Sequence, residues 1–183
     1  MWNQMLPAVI KILVTGLIAS GKSEVCAYLA QLGYPVYDSD RAAKLLYETI
    51  PGLKARVEQA IGRPFSEISS IFSDSSAREA LEAVVYPLVK ADFKRFAADC
   101  GGGTVFFESA VAFGKPQFKD EFDKTVLVRA PYESRLGRNP KVLEREAAQQ
   151  EMPLDEADYI IVNNAGLQEL HDQVDRMIKT FEI

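Results

Sequence analysis

The sequence is poor in the residues that mark metal-binding and disulfide-rich proteins. It contains one histidine, His171, and two cysteines, Cys26 and Cys100, among 183 residues. A single histidine excludes a His-rich metal site, and the two cysteines lack zinc-ligand spacing and further cysteine partners. This cysteine usage favours a reduced, cytoplasmic setting.

Excess positive charge and long apolar runs are also missing. The formal net charge is −5, so the chain has no overall basic character that would indicate a nucleic-acid partner. No segment approaches the roughly 20 apolar residues of a membrane span. The fairly apolar stretch 5–19 contains Lys11 and ends in a glycine loop, which argues against a signal peptide. We therefore expect one globular domain, monomeric or weakly oligomeric, with neither a nucleic-acid nor a membrane partner.

The chain does contain a phosphate-binding motif. The pattern G-x-x-x-x-G-K-[ST] is matched by Gly16-Leu17-Ile18-Ala19-Ser20-Gly21-Lys22-Ser23. An apolar strand pattern precedes the motif and a helical pattern follows it, a context that an ordinary glycine turn does not require. The two glycines let backbone N–H groups converge on a phosphate, Lys22 adds positive charge, and the Ser23 hydroxyl is a Mg²⁺ ligand. The motif predicts nucleotide binding.

Strand and helix patterns alternate around this motif. Strands are predicted at 9–15, 34–37, 104–107, 124–128 and 159–162. Helical patterns at 41–60, with a break at Pro51-Gly52, and at 66–72 and 76–98 form one block between the second and third strands, and we expect Pro87 to kink the last of them. The alternation predicts a three-layer α/β fold with a parallel five-stranded sheet and ligands at the carboxyl ends of its strands. The helical block, about 41–99, is the candidate substrate lobe.

Three acidic residues follow predicted strands at this edge of the sheet. Asp38 and Asp40 come after the second strand, and Glu108 ends the third. Phosphoryl transfer to an alcohol needs a carboxylate near the acceptor hydroxyl and another near the metal. The alternatives are a helix N-cap for Asp38 or Ser39, a purely structural role for Asp38 and Asp40 together, and a solvated strand-end acid for Glu108.

Basic and amide residues lie farther along the chain. Arg135, Arg138 and Arg145 fall between the fourth and fifth strands, where they would either clamp triphosphate charge or form an exposed helix face. The turn Asn163-Asn164-Ala165-Gly166 would either cradle an adenine or simply cap the last helix.

Together these segments resemble the dephospho-CoA kinases, a family within the P-loop, nucleoside-monophosphate-kinase-like group. The similar segments run in order through nearly the whole chain: V-T-G-L-I-A-S-G-K-S at 14–23, L-G-Y-P-V-Y-D-S-D at 32–40, L-E-A-V-V-Y-P at 81–87, R-E-A-A-Q at 145–149 and A-D-Y-I-I-V-N-N at 157–164. The resemblance implies a P-loop kinase core at 9–40, 101–131 and 157–183, a helical CoA-binding lobe at about 41–99 and a lid at about 132–150.

The resemblance also implies an activity and its residues. The activity is ATP- and Mg²⁺-dependent phosphorylation of the ribose 3′-hydroxyl of dephospho-CoA, the last step of coenzyme A synthesis. The catalytic residues would be Asp40 as base, Lys22, Asp38 and Arg138, and the metal ligands Ser23 and Asp38. The nucleotide-binding positions would be Gly16, Ala19, Ser20, Gly21, Lys22, Ser23, Glu24, Arg145 and Asn164. Another P-loop small-molecule kinase and a non-catalytic nucleotide sensor are the alternatives.

The chain departs from the family pattern at several positions. Leu17 and Ala19 replace glycines of the phosphate loop, so both need a backbone conformation that accepts a side chain. Tyr86 replaces the histidine before the proline of the L-E-x-I-x-H-P segment. The family's R-D-G lid segment is absent between Arg138 and Arg145, which predicts a truncated lid or a mobile segment missing from the sequence; the mobility of lids favours the second.

Overall fold

A five-stranded, fully parallel sheet forms the centre of the fold. The computed structural model describes residues 8–142, Gln149 and 151–183. The strands are β1 (Val9–Thr15), β2 (Val36–Asp38), β3 (Gly103–Glu108), β4 (Lys124–Arg129) and β5 (Tyr159–Val162). Their order is β2-β3-β1-β4-β5, and every neighbouring pair is parallel. The predicted sheet is confirmed, with the strand before the phosphate loop at its middle.

Helices cover both faces of this sheet. Over the described residues they are α1 (Lys22–Gln31), α2 (Ser39–Thr49), α3 (Leu53–Ile61), α4 (Ser75–Asp99), α5 (Tyr132–Arg138) and α6 (Leu167–Phe181). The break predicted at Pro51-Gly52 separates α2 from α3. The stretch 65–73 is a 3-10 helix, and α4 continues through Pro87 as one helix of 25 residues.

Alternate side chains of the sheet enter two separate cores. Leu13 and Phe107 point into a cluster with the apolar residues of α2, α3 and α4. Ile12 and Phe106 point the other way, into a cluster with α1 and α6. Because both faces are buried, the central strands read as continuous apolar runs. This arrangement gives the three layers expected from the sequence.

Two connections fix elements next to the carboxyl edge of the sheet. The carboxamide of Gln173 on α6 holds the edge strand, since its Oε1 accepts from Val162 N at 2.9 Å and its Nε2 donates to Val162 O at 2.9 Å. On the lobe side, the Tyr37 hydroxyl donates to Asp92 Oδ2 at 2.8 Å. In the described part of the chain, no helix has the length and apolarity needed to cross a membrane.

The segment predicted as a lid, about 132–150, is only partly within the described residues. The sequence is continuous from Arg138 to Arg145, with six residues between them, so no internal segment is missing and that expectation was wrong. Most of the helical piece predicted at 142–150 lies outside the described residues, and so does Arg145.

Candidate active site

The phosphate loop joins β1 to α1, and its two motif glycines are required by their surroundings. Gly16 and Gly21 have φ angles of 147° and 105°. A methyl group on Gly16 would collide with the carbonyl oxygen of Val128, and one on Gly21 would collide with the side-chain amide of Asn163. The loop is therefore built tightly against the ends of β4 and β5, as the motif predicts for a phosphate cradle at a helix N-terminus.

The two positions that depart from the family glycines behave differently. Leu17 is not among the described residues with positive φ, so its side chain costs no left-handed backbone. Ala19 has a φ of 61°, a conformation that costs an L-residue roughly 1–2 kcal/mol. Its carbonyl accepts a hydrogen bond from Arg138 Nη1 at 3.1 Å. The predicted arginine thus reaches the phosphate loop from α5.

Lys22 lies within the loop rather than in solvent. It is buried, and its Nζ donates to Gly16 O at 2.8 Å and to Leu17 O at 3.1 Å. Burial lowers the pKa of Lys22, and the charges of Glu108 and Asp40 partly oppose that shift. The side chain of Lys22 is therefore held inside the loop and not in solvent.

Ser23 and two strand-end acids form a group of oxygen atoms beside the loop. Ser23 Oγ donates to Glu108 Oε1 at 2.7 Å, and Glu108 is the register partner of Asp38. Burial raises the pKa of Glu108, and the charge of Asp38 adds to that effect. Asp38 also caps α2, since its Oδ1 accepts from Arg41 N at 2.9 Å. The carboxylate of Asp38 therefore caps α2 through Oδ1, and this contact does not exclude the predicted role of the same carboxylate as a metal ligand.

This group suits a cation that prefers oxygen ligands, such as Mg²⁺. Mg²⁺ prefers oxygen ligands and is commonly held by one or two carboxylates together with substrate phosphates. Among residues 8–142, Gln149 and 151–183, no cluster of three or more His, Cys, Asp and Glu residues is arranged for a metal. Ser23, Asp38 and Glu108 would therefore supply only part of the coordination.

Asp40 faces the phosphate loop across a cleft of about 590 Å³. It is exposed in the first turn of α2, and the cleft is lined by Asp40, Lys22 and Ser23 together. The charge of Asp40 raises the pKa of Lys22 on one side and that of Tyr86 on the other. The structure thus brings the predicted base and the predicted phosphate-binding lysine into one cavity.

Another wall of the cleft comes from α4, which contains the family-like segment 81–87 and belongs to the helical block expected to bind the substrate. Arg78, Glu82 and Tyr86 are four residues apart and line the same cavity. Glu82 is buried, and Lys115 Nζ donates to its Oε1 at 2.8 Å and its Oε2 at 2.7 Å. The helical spacing of Arg78, Glu82 and Tyr86 was the signal in the sequence that places them on one face of α4.

Several other residues close on the loop. Arg135 is buried, and its charge lowers the pKa of Lys22, which places a second arginine of α5 near the phosphate site. Gln149 Oε1 accepts from Ile18 N at 2.8 Å, a contact that sequence reasoning missed. Glu24 lies exposed in the first turn of α1, with its Oε1 3.7 Å from His171 Nε2.

The two asparagines after β5 differ sharply. Asn163 is buried, and its Nδ2 donates to Ser20 O at 3.0 Å. Asn164, the predicted adenine neighbour, is exposed to solvent. The contact with the phosphate loop therefore belongs to Asn163, whereas a position of Asn164 beside adenine stays a prediction.

Comparisons with known proteins agree on one family. A family model described as dephospho-CoA kinase matches residues 10–169. A dephospho-CoA kinase of Thermus thermophilus is 35% identical over 174 residues, covering 86% of this chain and 84% of the relative. One of Chlorobaculum tepidum is 30% identical over 193 residues, covering 91% and 92%.

Solved structures extend this agreement to the fold. A crystal structure of a Thermus thermophilus protein superposes with a TM-score of 0.73 at 32% identity, covering 93% of this chain and 97% of the other. The structure of a Campylobacter jejuni dephospho-CoA kinase has a TM-score of 0.61 at 18% identity, covering 95% and 98%, and shows a shared fold alone.

Proposed function

The chain belongs to the dephospho-CoA kinase family, and on that premise we propose that it transfers the γ-phosphoryl group of ATP to the ribose 3′-hydroxyl of dephospho-CoA. The products are coenzyme A and ADP. One observation carries the proposal: Asp40 and the phosphate-loop residues Lys22 and Ser23 line the same cleft. A kinase needs both a triphosphate cradle and a carboxylate beside the acceptor hydroxyl, whereas a nucleotide sensor needs only the cradle.

The phosphate side is supported by converging positive groups. The loop amides at the start of α1 and the helix dipole favour an anion. Lys22, Arg135 and Arg138 add three positive charges around that loop. Charge on the transferred phosphoryl group would be stabilised by these fixed groups without reorganisation.

The metal side is supported by the oxygen group of Ser23, Glu108 and Asp38. The short contact between Ser23 Oγ and Glu108 Oε1 places a hydroxyl and a carboxylate together at the carboxyl edge of the sheet. Mg²⁺ bound there would neutralise charge on the β- and γ-phosphates. These side chains would bind the ion from the protein, and the phosphates of the nucleotide would supply further ligands.

On the acceptor side, Asp40 orients the 3′-hydroxyl and takes its proton as the oxygen attacks the γ-phosphorus. The bond from that phosphorus to the β,γ-bridging oxygen then breaks, and the electron pair leaves with ADP. The carboxylate is suited to this step because it is exposed and lines the cleft that the acceptor would enter.

The activity is tested by ADP release with purified protein, ATP and a panel of acceptors: dephospho-CoA, AMP, shikimate and gluconate. We expect the highest kcat/KM with dephospho-CoA, and mass spectrometry of the product should show one added phosphoryl group. A higher kcat/KM with another acceptor, or no turnover of any, would reject the proposal.

Substitution of Asp40 tests its role as the base. Asp40→Asn should lower the rate of the chemical step by about 10²–10⁴ while calorimetry still detects ATP binding. Asp99→Asn, an exposed acid at the end of α4, is the matched control and should turn over like the unmodified protein. Normal single-turnover rates in Asp40→Asn would remove this residue from the chemistry.

A further inference from the structure

The wall of α4 holds a buried acid whose hydrogen bonds fix a neighbouring phenol. Glu82 is only 7% exposed, and both of its carboxylate oxygens accept from Lys115 Nζ. The two contacts form a paired, charge-assisted ion pair. An ionised carboxylate accepts hydrogen bonds and has none to donate.

The partner of Glu82 inside the cleft is Tyr86. The Tyr86 hydroxyl lies 3.2 Å from Glu82 Oε1, and its ring packs against Phe118 with the centroids 5.4 Å apart. Because Glu82 only accepts, the phenol must donate its single proton to Glu82. The lone pairs of the phenol oxygen are then what Tyr86 offers to a ligand. Burial and the charge of Glu82 raise the pKa of Tyr86, so the phenol stays neutral.

This arrangement limits the ligand groups that Tyr86 can recognise. A phosphate or carboxylate oxygen is itself an acceptor and gains nothing from a phenol whose proton is already committed. A ligand hydroxyl or N–H group is a donor and gains a hydrogen bond. The charge of Asp40 acts on Tyr86, and both residues line the one cleft, so a ligand hydroxyl held by Tyr86 would share that cleft with the hydroxyl that Asp40 serves.

We propose that Tyr86 is a specificity-determining residue whose phenol oxygen accepts a hydrogen bond from the 2′-hydroxyl of the acceptor ribose, with Glu82 and Lys115 as positioning residues. The inference rests on the proposed function, in which Asp40 serves the adjacent 3′-hydroxyl. On a ribose the two hydroxyls are on neighbouring carbons. Asp40 and Tyr86, which line the same cleft, would therefore each contact one of these two hydroxyls.

The test compares two acceptors, dephospho-CoA and its 2′-deoxyribose analogue, with the unmodified protein and with Tyr86→Phe. The unmodified protein should prefer the ribose acceptor by about tenfold in kcat/KM, the effect of one neutral hydrogen bond. Tyr86→Phe should lose that preference by slowing only on dephospho-CoA. Tyr34→Phe, which removes a phenol oxygen in the opposite core, should keep the preference.

A second variant separates recognition from folding. Glu82→Gln keeps the volume but introduces an amide that can donate, so the phenol no longer has to direct its proton at residue 82. We expect the ribose preference to fall in Glu82→Gln while the KM for ATP stays unchanged. This result would support the inference even if Tyr86→Phe failed to fold.

The outcomes distinguish this inference from the proposed function. An equal loss on both acceptors in Tyr86→Phe would indicate a merely structural role and overturn the inference. An undiminished preference, or none in the unmodified protein, would overturn it as well. In each case turnover of dephospho-CoA by the unmodified protein would leave the proposed function standing, whereas absence of that turnover would reject the function itself.

Discussion

Replacement of Asn163 by alanine tests how the phosphate loop is held. The substitution removes the hydrogen bond from Asn163 Nδ2 to Ser20 O, which is 3.0 Å long. Ser20 is 1% exposed and Asn163 8% exposed, so water has little access to the carbonyl that loses its donor. A buried acceptor left unsatisfied costs about 1–3 kcal/mol. We expect Asn163→Ala to lower the free energy of unfolding by that amount.

The assay is thermal and urea unfolding followed by steady-state kinetics. In a protein of this size, 1 kcal/mol corresponds to about 2–4 °C, so the expected decrease in Tm is about 2–12 °C. The KM for ATP should rise, because the loop that binds the phosphates loses a fixed point. Asn164→Ala is the matched control: its exposed side chain should change the free energy of unfolding by less than about 0.5 kcal/mol.

Equal stability of the two alanine variants would refute the reasoning for Asn163. The same pair also tests the position predicted for Asn164. A raised KM for ATP in Asn164→Ala, without a change in Tm, would support a place beside adenine. An unchanged KM would contradict it.

Two further substitutions test strain and charge at the loop. Ala19→Gly should raise the free energy of unfolding by about 1 kcal/mol, because glycine adopts the φ of 61° without strain. The control Ala27→Gly, on the exposed face of α1, should lower the free energy of unfolding. A lower free energy of unfolding in Ala19→Gly would contradict the strain at this position. Burial raises the pKa of Glu108, so the folded protein binds this proton more tightly than the unfolded chain and the ionised group weakens the fold at neutral pH. Glu108→Gln should therefore raise Tm at pH 7, by a margin that shrinks as the pH falls through the raised pKa, and should lower activity by roughly 10–100-fold. A lower Tm at pH 7 would argue against the burial effect.

Local patterns were sufficient to predict most of the fold. The apolar run 9–15 is β1 in the structure, and Pro51-Gly52 separates two helices as expected. The second strand begins at Val36 rather than at residue 34, and Pro35, which has no backbone N–H to donate, lies just before it. The phosphate loop was predictable because its chemistry depends on residues that are adjacent in sequence.

The rest of the site depends on contacts between distant residues. Glu82 and Lys115 are 33 positions apart, and no local spacing relates them. The choice between Asn163 and Asn164 depends on the register of β5, since a shift of one residue turns the other side chain toward the loop. The left-handed backbone of Ala19 likewise follows from loop closure around Gly16 and Gly21, not from a preference of alanine.

The carboxamide clamp between Gln173 and Val162 has a consequence for catalysis. Val162 directly precedes Asn163, so the clamp fixes the backbone from which Asn163 reaches Ser20. Hydrogen bonds therefore connect α6 to the end of β5, and the end of β5 to the phosphate loop. Loss of the Gln173 side chain would therefore loosen the end of β5 and, through Asn163, the loop that binds the triphosphate.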